Sequence, residues 1–496
     1  MTSAHPSRVA AARSTPASDA EPARKAAWEI WLPVLFALTL TVPGLGQGSL
    51  VTDEALYAAL AREALERWPA LDLTLLGAPY GNKPPAGFWA MALSIATFGD
   101  GAFAARLPSA LAGAACCGLV ASLALRAFGR GAGFVAGLGL ALTLDWVRLA
   151  SQAGLDAMTL ALGLLGVRLC VAARDHERAR RLTFAFAAGA AFGLSAMIKG
   201  PLTITPLLVG LVLLRDPRAV GAALVTMLVV GGWWPLSMHY SAHGAVWREL
   251  VAREVAHHAQ LDGGRNLSAL ARAALIHGAP SSLAALGGFY WMYRRFQRAA
   301  WIAFLWIAIA IVGAVLPSPT YSRYALPLFP AFAFVAGGAF RAWLADKPTL
   351  LESTLRVARR IVVGAGIVAI ALPIVFGVRL HRDQAAIFAL HRDELAAAFP
   401  VGSRVPIVGD ANSAESGTIA LHMRRQAVHL RVEEIGPGKP EFVLALGPLA
   451  RGALIERGYA IEAALGRWAF LRRDGSKPLA APADSEGEQP PSDGRR

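Results

Sequence analysis

The sequence predicts an all-α polytopic membrane protein with a small α/β domain near its C-terminal end. Of its 496 residues, 55% are hydrophobic and only 17% are charged, whereas a soluble domain carries about 25% charged residues. The apolar residues gather in runs of the length that crosses a bilayer, and the chain turns polar only after about His381. This composition excludes an ordinary soluble enzyme, and the abundance of apolar residues excludes disorder over most of the length. The three cysteines lie inside apolar runs without a spacing pattern, which excludes a disulfide scaffold.

The apolar runs predict about eleven transmembrane helices. Residues 1–27, rich in Ala, Ser, Pro and Arg, predict a disordered tail, and the run from Trp28 to Leu45 predicts an uncleaved first span. The other runs lie near Phe103–Leu125, Gly131–Leu149, Leu155–Ala173, Leu182–Ile198, Leu202–Leu214, Val220–Met238, Leu270–Met292, Ala300–Leu316, Tyr324–Leu344 and Ile361–Val378. Ala86–Phe98 is apolar but short, so it either lies along the interface or dips partly into the membrane, and the count extends to about thirteen.

The positive charges predict the orientation of these helices. The formal net charge is +14, and one alternate set of short loops is much richer in Lys and Arg than the longer loops of the opposite set. Cytoplasmic loops collect Lys and Arg, so the rich set and the N-terminus are predicted to be cytoplasmic. With an odd number of spans, the C-terminal domain is then predicted to lie outside the cytoplasm. The surplus charge therefore reports orientation and does not indicate binding to nucleic acid.

The transmembrane region is predicted to end near residue 380, and residues 381–474 to form a small α/β periplasmic domain. His391–Phe399 predicts a short helix, and three short strands are predicted at Arg404–Val408, Ala427–Val432 and Glu441–Leu446 between turn-forming residues. Residues 475–496, rich in Pro, Asp, Ser and Gly, predict a disordered tail.

The first outer loop, within residues 46–102, carries two adjacent acids. Asp53 and Glu54 begin an amphipathic helix with Leu56, Leu60 and Leu65 on one side. As a site, these acids would serve as base or ligand. As ordinary structure, Thr52 or Asp53 would cap the helix and Glu54 would favour its dipole.

The same loop ends in one of only six lysines in the chain, Lys83. A lysine is a compact point charge suited to phosphate. The structural alternative is a lysine that snorkels at the interface, followed by Pro84 and Pro85 as the opening residues of a helix.

Further polar residues lie at the outer ends of later spans. Asp156 stands at the mouth of a span, where a carboxylate is costly and is a functional candidate, although an acid at a helix N-terminus is an alternative. Asp145 is a weaker candidate of the same kind. Lys199 separates two apolar runs, where it is either functional or part of a tight outer turn.

Two more outer segments are candidates. Arg323 and Tyr324 begin a span, where interfacial anchors are common. His257 and Arg265 lie in the outer loop from about Tyr240 to Asn266, in which adjacent histidines are poor evidence for a metal site. Together with the earlier residues, these side chains share one face of the membrane. Two carboxylates can hold a divalent cation or act as a base, and Lys and Arg can bind a phosphate leaving group, which favours transfer from a lipid phosphate donor.

Ordered motifs resemble those of the C-type (GT-C) membrane glycosyltransferases. Within these, the chain is most similar to the bacterial protein-O-mannosyltransferase and aminoarabinose-transferase superfamily, and the resemblance covers about residues 30–345. The motifs are Asp53–Ala58, Gly77–Pro85, Ala104–Ser109, Arg148–Met158, Lys199–Pro201 and Arg323–Leu328.

The resemblance implies transfer of a sugar from a polyprenyl phosphate donor to lipid A, a protein or a glycan outside the cytoplasmic membrane. It implies that Asp53 is the catalytic base or activates the acceptor, and that Asp156 is the second acid of the site. Lys83, Arg323 and Tyr324 match positions around the donor phosphate, and Lys199 matches a common motif position. Glu54, His257 and Arg265 remain possible site residues.

One position departs from the family pattern. The family often has an acid directly before the lysine of Lys-Pro-Pro, and this chain has Asn82. A divalent cation, if one is used, would therefore depend on Asp53 and Asp156.

The main alternative is a transporter or lipid flippase. Transporters often contain internal repeats, and the sequence has none that we detect. Its polar residues also gather at one face rather than near the membrane midplane.

Overall fold

The structure is a computed structural model that describes residues 26–241, 263–315, 322–376 and, with gaps, 244–252 and 388–473. The chain divides into two compact units. The first unit takes in the chain up to Leu45, Gly81–Gly87 and Arg106–Val378. The second unit takes in Gly46–Tyr80, Phe88–Ala105 and the chain from Arg379 onward.

The first unit is helical. Its helices are α1 (Trp28–Thr41), the start of α3 (Ala86–Phe98), most of α4 (Ala102–Phe128), α5 (Ala132–Ala141), α6 (Leu144–Ala150), α7 (Asp156–Asp175), α8 (Arg178–Leu214), α9 (Pro217–Tyr240), α10 (Gly263–Arg272), α11 (Ser281–Arg295), α12 (Gln297–Val315), α13 (Leu328–Trp343) and α14 (Pro348–Phe376). Short turns of other helix types cover Val42–Gly44, Ala273–His277 and Ser322–Ala325.

Several of these helices are built to cross a membrane. In the described part of the chain, α4, α7, α8, α9 and α12 are long and apolar enough to do so, and α5 with α6 forms a pair bent by 66° that adds a sixth. Trp28–Gly44, α3 and α13 are shorter apolar helices. Each predicted apolar run coincides with one or more of the helices above, so the chain is a multi-pass membrane protein, as predicted.

Helix α8 is a helical hairpin whose turn is at Lys199. The backbone of Lys199 is non-helical, with φ −156° and ψ 89°, and the hydroxyls of Ser195 and Thr203 are 2.7 Å apart across it. Eight residues of continuous helix would separate these side chains by about 12 Å. The stretch therefore consists of two arms, 178–198 and 200–214, which correspond to the two separate runs in the sequence.

Close packing of small residues joins the helices of the first unit. A Cβ on Gly189 would meet the Ala223 carbonyl at 2.3 Å, and one on Gly337 would meet the Ala132 carbonyl at 2.5 Å. Small residues at such positions allow membrane helices to approach closely. Arg106 is 1% exposed, and it donates a hydrogen bond to the Leu45 carbonyl (3.0 Å), where the first span ends.

The N-terminal part of the second unit is built on α2 (Asp53–Glu66). Leu56 and Leu60 are buried, as the amphipathic pattern predicts, and Tyr57 packs edge-on against Phe88 of α3. A hairpin of β1 (Leu73–Leu75) and β2 (Ala78–Tyr80) follows. The Glu63 carboxylate of α2 ties it down by accepting a hydrogen bond from the Thr74 hydroxyl (2.6 Å).

The C-terminal part of the second unit contains a five-stranded sheet in the order β4-β3-β5-β7-β6. Its elements are α15 (Arg392–Ala398), β3 (Arg404–Gly409), β4 (Gln426–Leu430), β5 (Phe442–Leu446), α16 (Pro448–Glu456), β6 (Tyr459–Leu465) and β7 (Trp468–Arg473). The strands β4, β3 and β5 are parallel, and β7 joins β5 and β6 in antiparallel pairs.

The α/β character of this region is thus as predicted. Helix α15 and strands β3 to β5 lie where the sequence places a helix and three strands, whereas the pair β6–β7 and helix α16 were not predicted. Alternate strand residues face opposite sides of the sheet. On one side Ile407 and Leu444 join one apolar core, and on the other Val408 and Val443 join a second. Burial raises the pKa of Tyr459, whose hydroxyl donates to the Pro440 carbonyl (2.6 Å).

Candidate functional site

Two of the predicted site residues form an ion pair in the first unit. Asp156 is the first residue of α7, and Lys199 is the turn residue of the α8 hairpin. The Lys199 Nζ atom lies 2.5 Å from the Asp156 Oδ1 atom, and the two side chains are only 16% and 14% exposed. The tight-turn interpretation of Lys199 is therefore correct, and the same turn delivers its ammonium group to a carboxylate.

A buried set of hydroxyls fixes the geometry of this pair. Ser195 and Thr203 stand four residues before and four residues after Lys199, and their hydroxyls share a hydrogen bond across the hairpin. Ser195 also contacts the Thr159 carbonyl of α7 (2.9 Å). All three residues are at most 1% exposed, so they hold the hairpin to α7 directly beside the ion pair.

The Lys83 segment packs against the same place through Gly87. A Cβ on Gly87 would lie 2.5 Å from Cδ2 of Leu155 and 3.0 Å from Cγ2 of Ile198. Leu155 and Ile198 directly precede Asp156 and Lys199. A side chain at position 87 would force Leu155 to move, so Gly87 allows the start of α3 to pack closely against the residues that precede Asp156 and Lys199.

Lys83 itself lies four residues before Gly87, and its Nζ atom donates to the Asn82 Oδ1 atom (2.8 Å). Asn82 is the position that departs from the family pattern. Its amide oxygen accepts from Lys83 but carries no charge, so Lys83 keeps more of its attraction for an anion than it would beside a carboxylate.

A second buried carboxylate, Asp145, also has cationic partners. Its side chain is 5% exposed, and it lies 2.7 Å from Nδ1 of His277 and 3.2 Å from Nε of Arg148. By sequence, Asp145 is a weak candidate, and His277 does not stand out. A histidine inside the predicted apolar run Leu270–Met292 was the available signal, but its partner Asp145 lies 132 positions away.

Arg323 and Tyr324 lie in the short turn Ser322–Ala325, and both are half-buried. This turn contacts the turn Ala273–His277, which carries His277, as well as α12. The turn that carries Arg323 and Tyr324 is therefore next to the turn that carries His277.

The remaining candidates are placed as follows. Asp53 and Glu54 are the first two residues of α2 in the second unit, and both are half-buried. The side chain of Thr52 makes no capping hydrogen bond, which removes that part of the purely structural interpretation. Arg265 lies in α10 but its side chain is outside the described part, and His257 lies outside the described residues.

No metal centre is evident among these side chains. Within the described ranges, no three His, Cys, Asp or Glu side chains are grouped as metal ligands. Asp156, one of the two predicted ligands, already faces the ammonium group of Lys199. A cation at Asp156 would have to displace that positive charge, so the arrangement does not fit a metal site there.

The sequence is similar to known sugar transferases over part of its length. Residues 82–234 match the family model for dolichyl-phosphate-mannose-protein mannosyltransferase. An undecaprenyl phosphate-α-4-amino-4-deoxy-L-arabinose arabinosyl transferase of Pseudomonas fluorescens is 31% identical over 46% of this chain and 42% of its own length. A second one from that species is 26% identical over 63% of this chain and 58% of its own length. The chain thus spans less than two thirds of the length of these curated relatives.

Solved structures share the fold over nearly the whole chain. ArnT from Cupriavidus metallidurans, in a crystal structure with undecaprenyl phosphate, superposes with a TM-score of 0.64 at 18% identity, covering 90% of this chain and 98% of that one. The archaeal oligosaccharyltransferase AglB from Archaeoglobus fulgidus superposes with a TM-score of 0.53 at 10% identity, covering 94% and 76%.

The fold prediction is confirmed by these superpositions, and the matched segment contains Lys83, Asp156 and Lys199. The chain therefore has the fold of these GT-C type membrane proteins, and its residues 82–234 are similar to the dolichyl-phosphate-mannose-protein mannosyltransferase family.

Proposed function

We propose that the protein is a membrane glycosyltransferase that moves a sugar from a polyprenyl phosphate donor to an acceptor at the periplasmic face of the bacterial inner membrane. The observation that carries this proposal is the Asp156–Lys199 pair with the Lys83 segment packed against it. These residues lie inside the segment that matches a family named for lipid-phosphate sugar transfer.

The reaction is a displacement at the anomeric carbon of the donor sugar. An acceptor oxygen or nitrogen forms the new bond to that carbon, while the bond from carbon to the phosphate oxygen breaks. The electron pair of the broken bond stays with the polyprenyl phosphate. The acceptor loses a proton, and Asp53 is the base that receives it.

The basic residues stabilise the leaving phosphate. Lys83 provides a compact positive charge beside a neutral amide, and Arg323 provides a second in the short turn Ser322–Ala325, before α13. Cations placed where negative charge develops lower the barrier of such a transfer. Asp156 balances Lys199, keeps its ammonium group oriented, and joins it to the rigid α7–α8 frame.

The donor class follows from the similar proteins and from this charge distribution. The relatives are named for undecaprenyl phosphate-linked aminoarabinose, so that donor is the first to test. The acceptor is lipid A, a protein or another glycan. The proposal also places the N-terminus in the cytoplasm and the C-terminal domain in the periplasm. The loops richest in Lys and Arg share a predicted membrane face with the N-terminus, and such loops are usually cytoplasmic.

A divalent cation held by Asp53 and Asp156 is not needed for this chemistry, because Lys199 already faces Asp156. Transfer is therefore expected to continue in the presence of a chelator. Loss of activity with EDTA that Mg²⁺ or Mn²⁺ restores would return a metal to the mechanism.

The decisive experiment is transfer by the purified full-length protein in lipid nanodiscs. The donor is undecaprenyl phosphate aminoarabinose and the acceptor is lipid A, with the product followed by mass spectrometry. Replacing Asp53→Asn is expected to lower kcat by about 10²–10⁴-fold, because loss of a general base costs that much, while Glu54→Gln tests whether the neighbouring acid shares this role.

Near wild-type transfer by Asp53→Asn would contradict the assigned base. The protein could instead move undecaprenyl phosphate across the bilayer of sealed vesicles and transfer no sugar from any of a panel of donors. That result would support the flippase. Deletion of the gene in its host, with mass spectrometry of lipid A, glycoproteins and glycans, identifies the acceptor.

A further inference from the structure

The three residues directly before Asp53 are all anchored on the C-terminal part of the second unit. The Leu50 carbonyl accepts a hydrogen bond from Nε2 of His422 (2.8 Å). The Thr52 backbone N–H donates to Oγ1 of Thr418 (3.0 Å). Between them, Val51 packs on the apolar core that includes Phe388, Leu395 and Phe470.

The anchoring side chains are themselves held by that core. Thr418 is 1% exposed, so its hydroxyl has a defined position. The His422 ring stacks on Phe388 with a 5.5 Å centroid separation and an interplanar angle of 3°. Phe388 is 5% exposed and meets Trp468 edge-on. The Thr418 contact therefore starts from the interior of the domain, and the His422 contact starts from an exposed ring that stacks on the buried Phe388.

The anchored segment has an unusual backbone. Thr52 has φ 53° and ψ −130°, a conformation that L-residues other than glycine rarely adopt. Such a conformation persists only when its surroundings determine it. Here the contacts at Leu50, Val51 and Thr52 determine the conformation. Helix α2 begins at the next residue, Asp53.

We propose that Thr418 and His422 are positioning residues that fix Asp53 through the backbone of Leu50–Thr52. We call Thr418 and His422 together the 418/422 clamp. Through this clamp, the C-terminal domain positions the base for the reaction. The catalytic part of the proposal rests on the proposed function of Asp53, whereas the clamp itself is a structural statement that can be tested without any activity.

Matched substitutions separate the hydrogen bonds from the packing. Thr418→Val removes the hydroxyl and keeps the shape, and Thr418→Ser keeps the hydroxyl. His422→Phe keeps the ring that stacks on Phe388 and removes the donor, and His422→Gln supplies a donor again. Each variant is made in the full-length protein in nanodiscs.

Hydrogen exchange reports on the clamp directly. In Thr418→Val and His422→Phe, amides of residues 50–56 are expected to exchange about fivefold faster, since each lost hydrogen bond is worth about 1 kcal/mol. Exchange in the transmembrane helices and the Tm of the protein are expected to stay as in the wild type. Thr418→Ser and His422→Gln restore slow exchange.

Kinetics report on the positioning. The two disrupting variants are expected to lose about 10–100-fold in kcat, because small misplacement of a reacting group has effects of that size, with an unchanged KM for the donor. The restoring variants regain kcat. A lower kcat with an unchanged KM distinguishes an effect on the position of Asp53 from an effect on donor binding.

Three results would overturn the inference. Unchanged exchange at residues 50–56 in both disrupting variants would exclude the clamp. Faster exchange with wild-type kcat would exclude its positioning role. A large loss of Tm in both variants would show that these side chains determine the fold rather than position the base. If the wild type transfers no sugar, the proposed function fails, and the exchange measurement still decides the clamp.

Discussion

The two carboxylates singled out in the sequence, Asp156 and Asp53, are held in different ways. Asp156 begins a membrane helix, is 14% exposed, and faces Lys199 at 2.5 Å. Asp53 begins an amphipathic helix of the second unit, directly after a residue with positive φ. The side chain of Lys199 and nearby buried hydroxyls position Asp156. In contrast, side chains from a distant part of the chain bind the backbone of the segment before Asp53.

The difference matches the demands of two roles. A carboxylate paired with an ammonium group keeps that cation in place. A base must be aimed and must remain open to its substrate. We therefore propose that Asp156 orients a cation and that Asp53 accepts the proton.

The largest expected effect on stability comes from breaking the ion pair. Lys199→Met leaves the Asp156 carboxylate largely buried beside an apolar side chain, and the free energy of unfolding is expected to fall by about 2–4 kcal/mol. Transfer should fall by about 100-fold, because a cation of the site is lost. Thermal unfolding in nanodiscs and steady-state kinetics measure the two effects.

The double substitution Asp156→Asn with Lys199→Met sharpens this prediction. It removes both charges, so it should recover about 1–3 kcal/mol relative to the sum of the single variants, without recovering transfer. Simple additivity of the two single effects would contradict a coupled pair.

A smaller effect is expected at the close approach of the Lys83 segment. In Gly87→Ala the new Cβ would lie 2.5 Å from Leu155 Cδ2 and 3.0 Å from Ile198 Cγ2. Relief of this overlap should lower the free energy of unfolding by about 1–2 kcal/mol. It should also shift Lys83, and this shift is expected to raise the KM for the donor. Stability curves and donor titrations test this.

Gly221→Ala is the matched control, because a Cβ there meets nothing within 4 Å and alanine favours a helix. If Gly87→Ala and Gly221→Ala have the same KM, the packing at Gly87 does not position Lys83.

The smallest effect is expected from the hydroxyl set. Thr203→Val keeps the shape of the side chain and removes its hydrogen bond with Ser195, which should cost about 1 kcal/mol. Thr203→Ser should behave as the wild type. An unchanged Tm in Thr203→Val would show that the hairpin at Lys199 is held by packing alone.

The membrane architecture was largely readable from the residues. Apolar runs of bilayer length specify helices because no other element satisfies its backbone groups in lipid, and breaks such as Lys199-Gly200-Pro201 mark where they end. The α/β character of the C-terminal domain followed from β3, β4 and β5. The pair β6–β7 was missed because Ala463 and Ala464 weaken the alternation of apolar and polar residues.

The site was readable only in part. Asp53, Lys83, Asp156 and Lys199 stood out because a charge at the edge of an apolar run is costly and therefore informative. The sequence does contain the four-residue spacing of Ser195, Lys199 and Thr203, but nothing in it says that the chain reverses between them. His277 was missed because its partner, Asp145, is remote along the chain.

By itself, the sequence determined the class of protein, the approximate positions of its spans and which charged residues are exceptional, because these depend on local composition and on the cost of charge in lipid. Tertiary structure alone decided the partners: Lys199 for Asp156, Gly87 against Leu155 and Ile198, and Thr418 and His422 for the segment before Asp53. Thr418 is 366 positions from Thr52 along the chain. Contacts at such separations depend on packing of the whole second unit, which no local pattern of residues specifies.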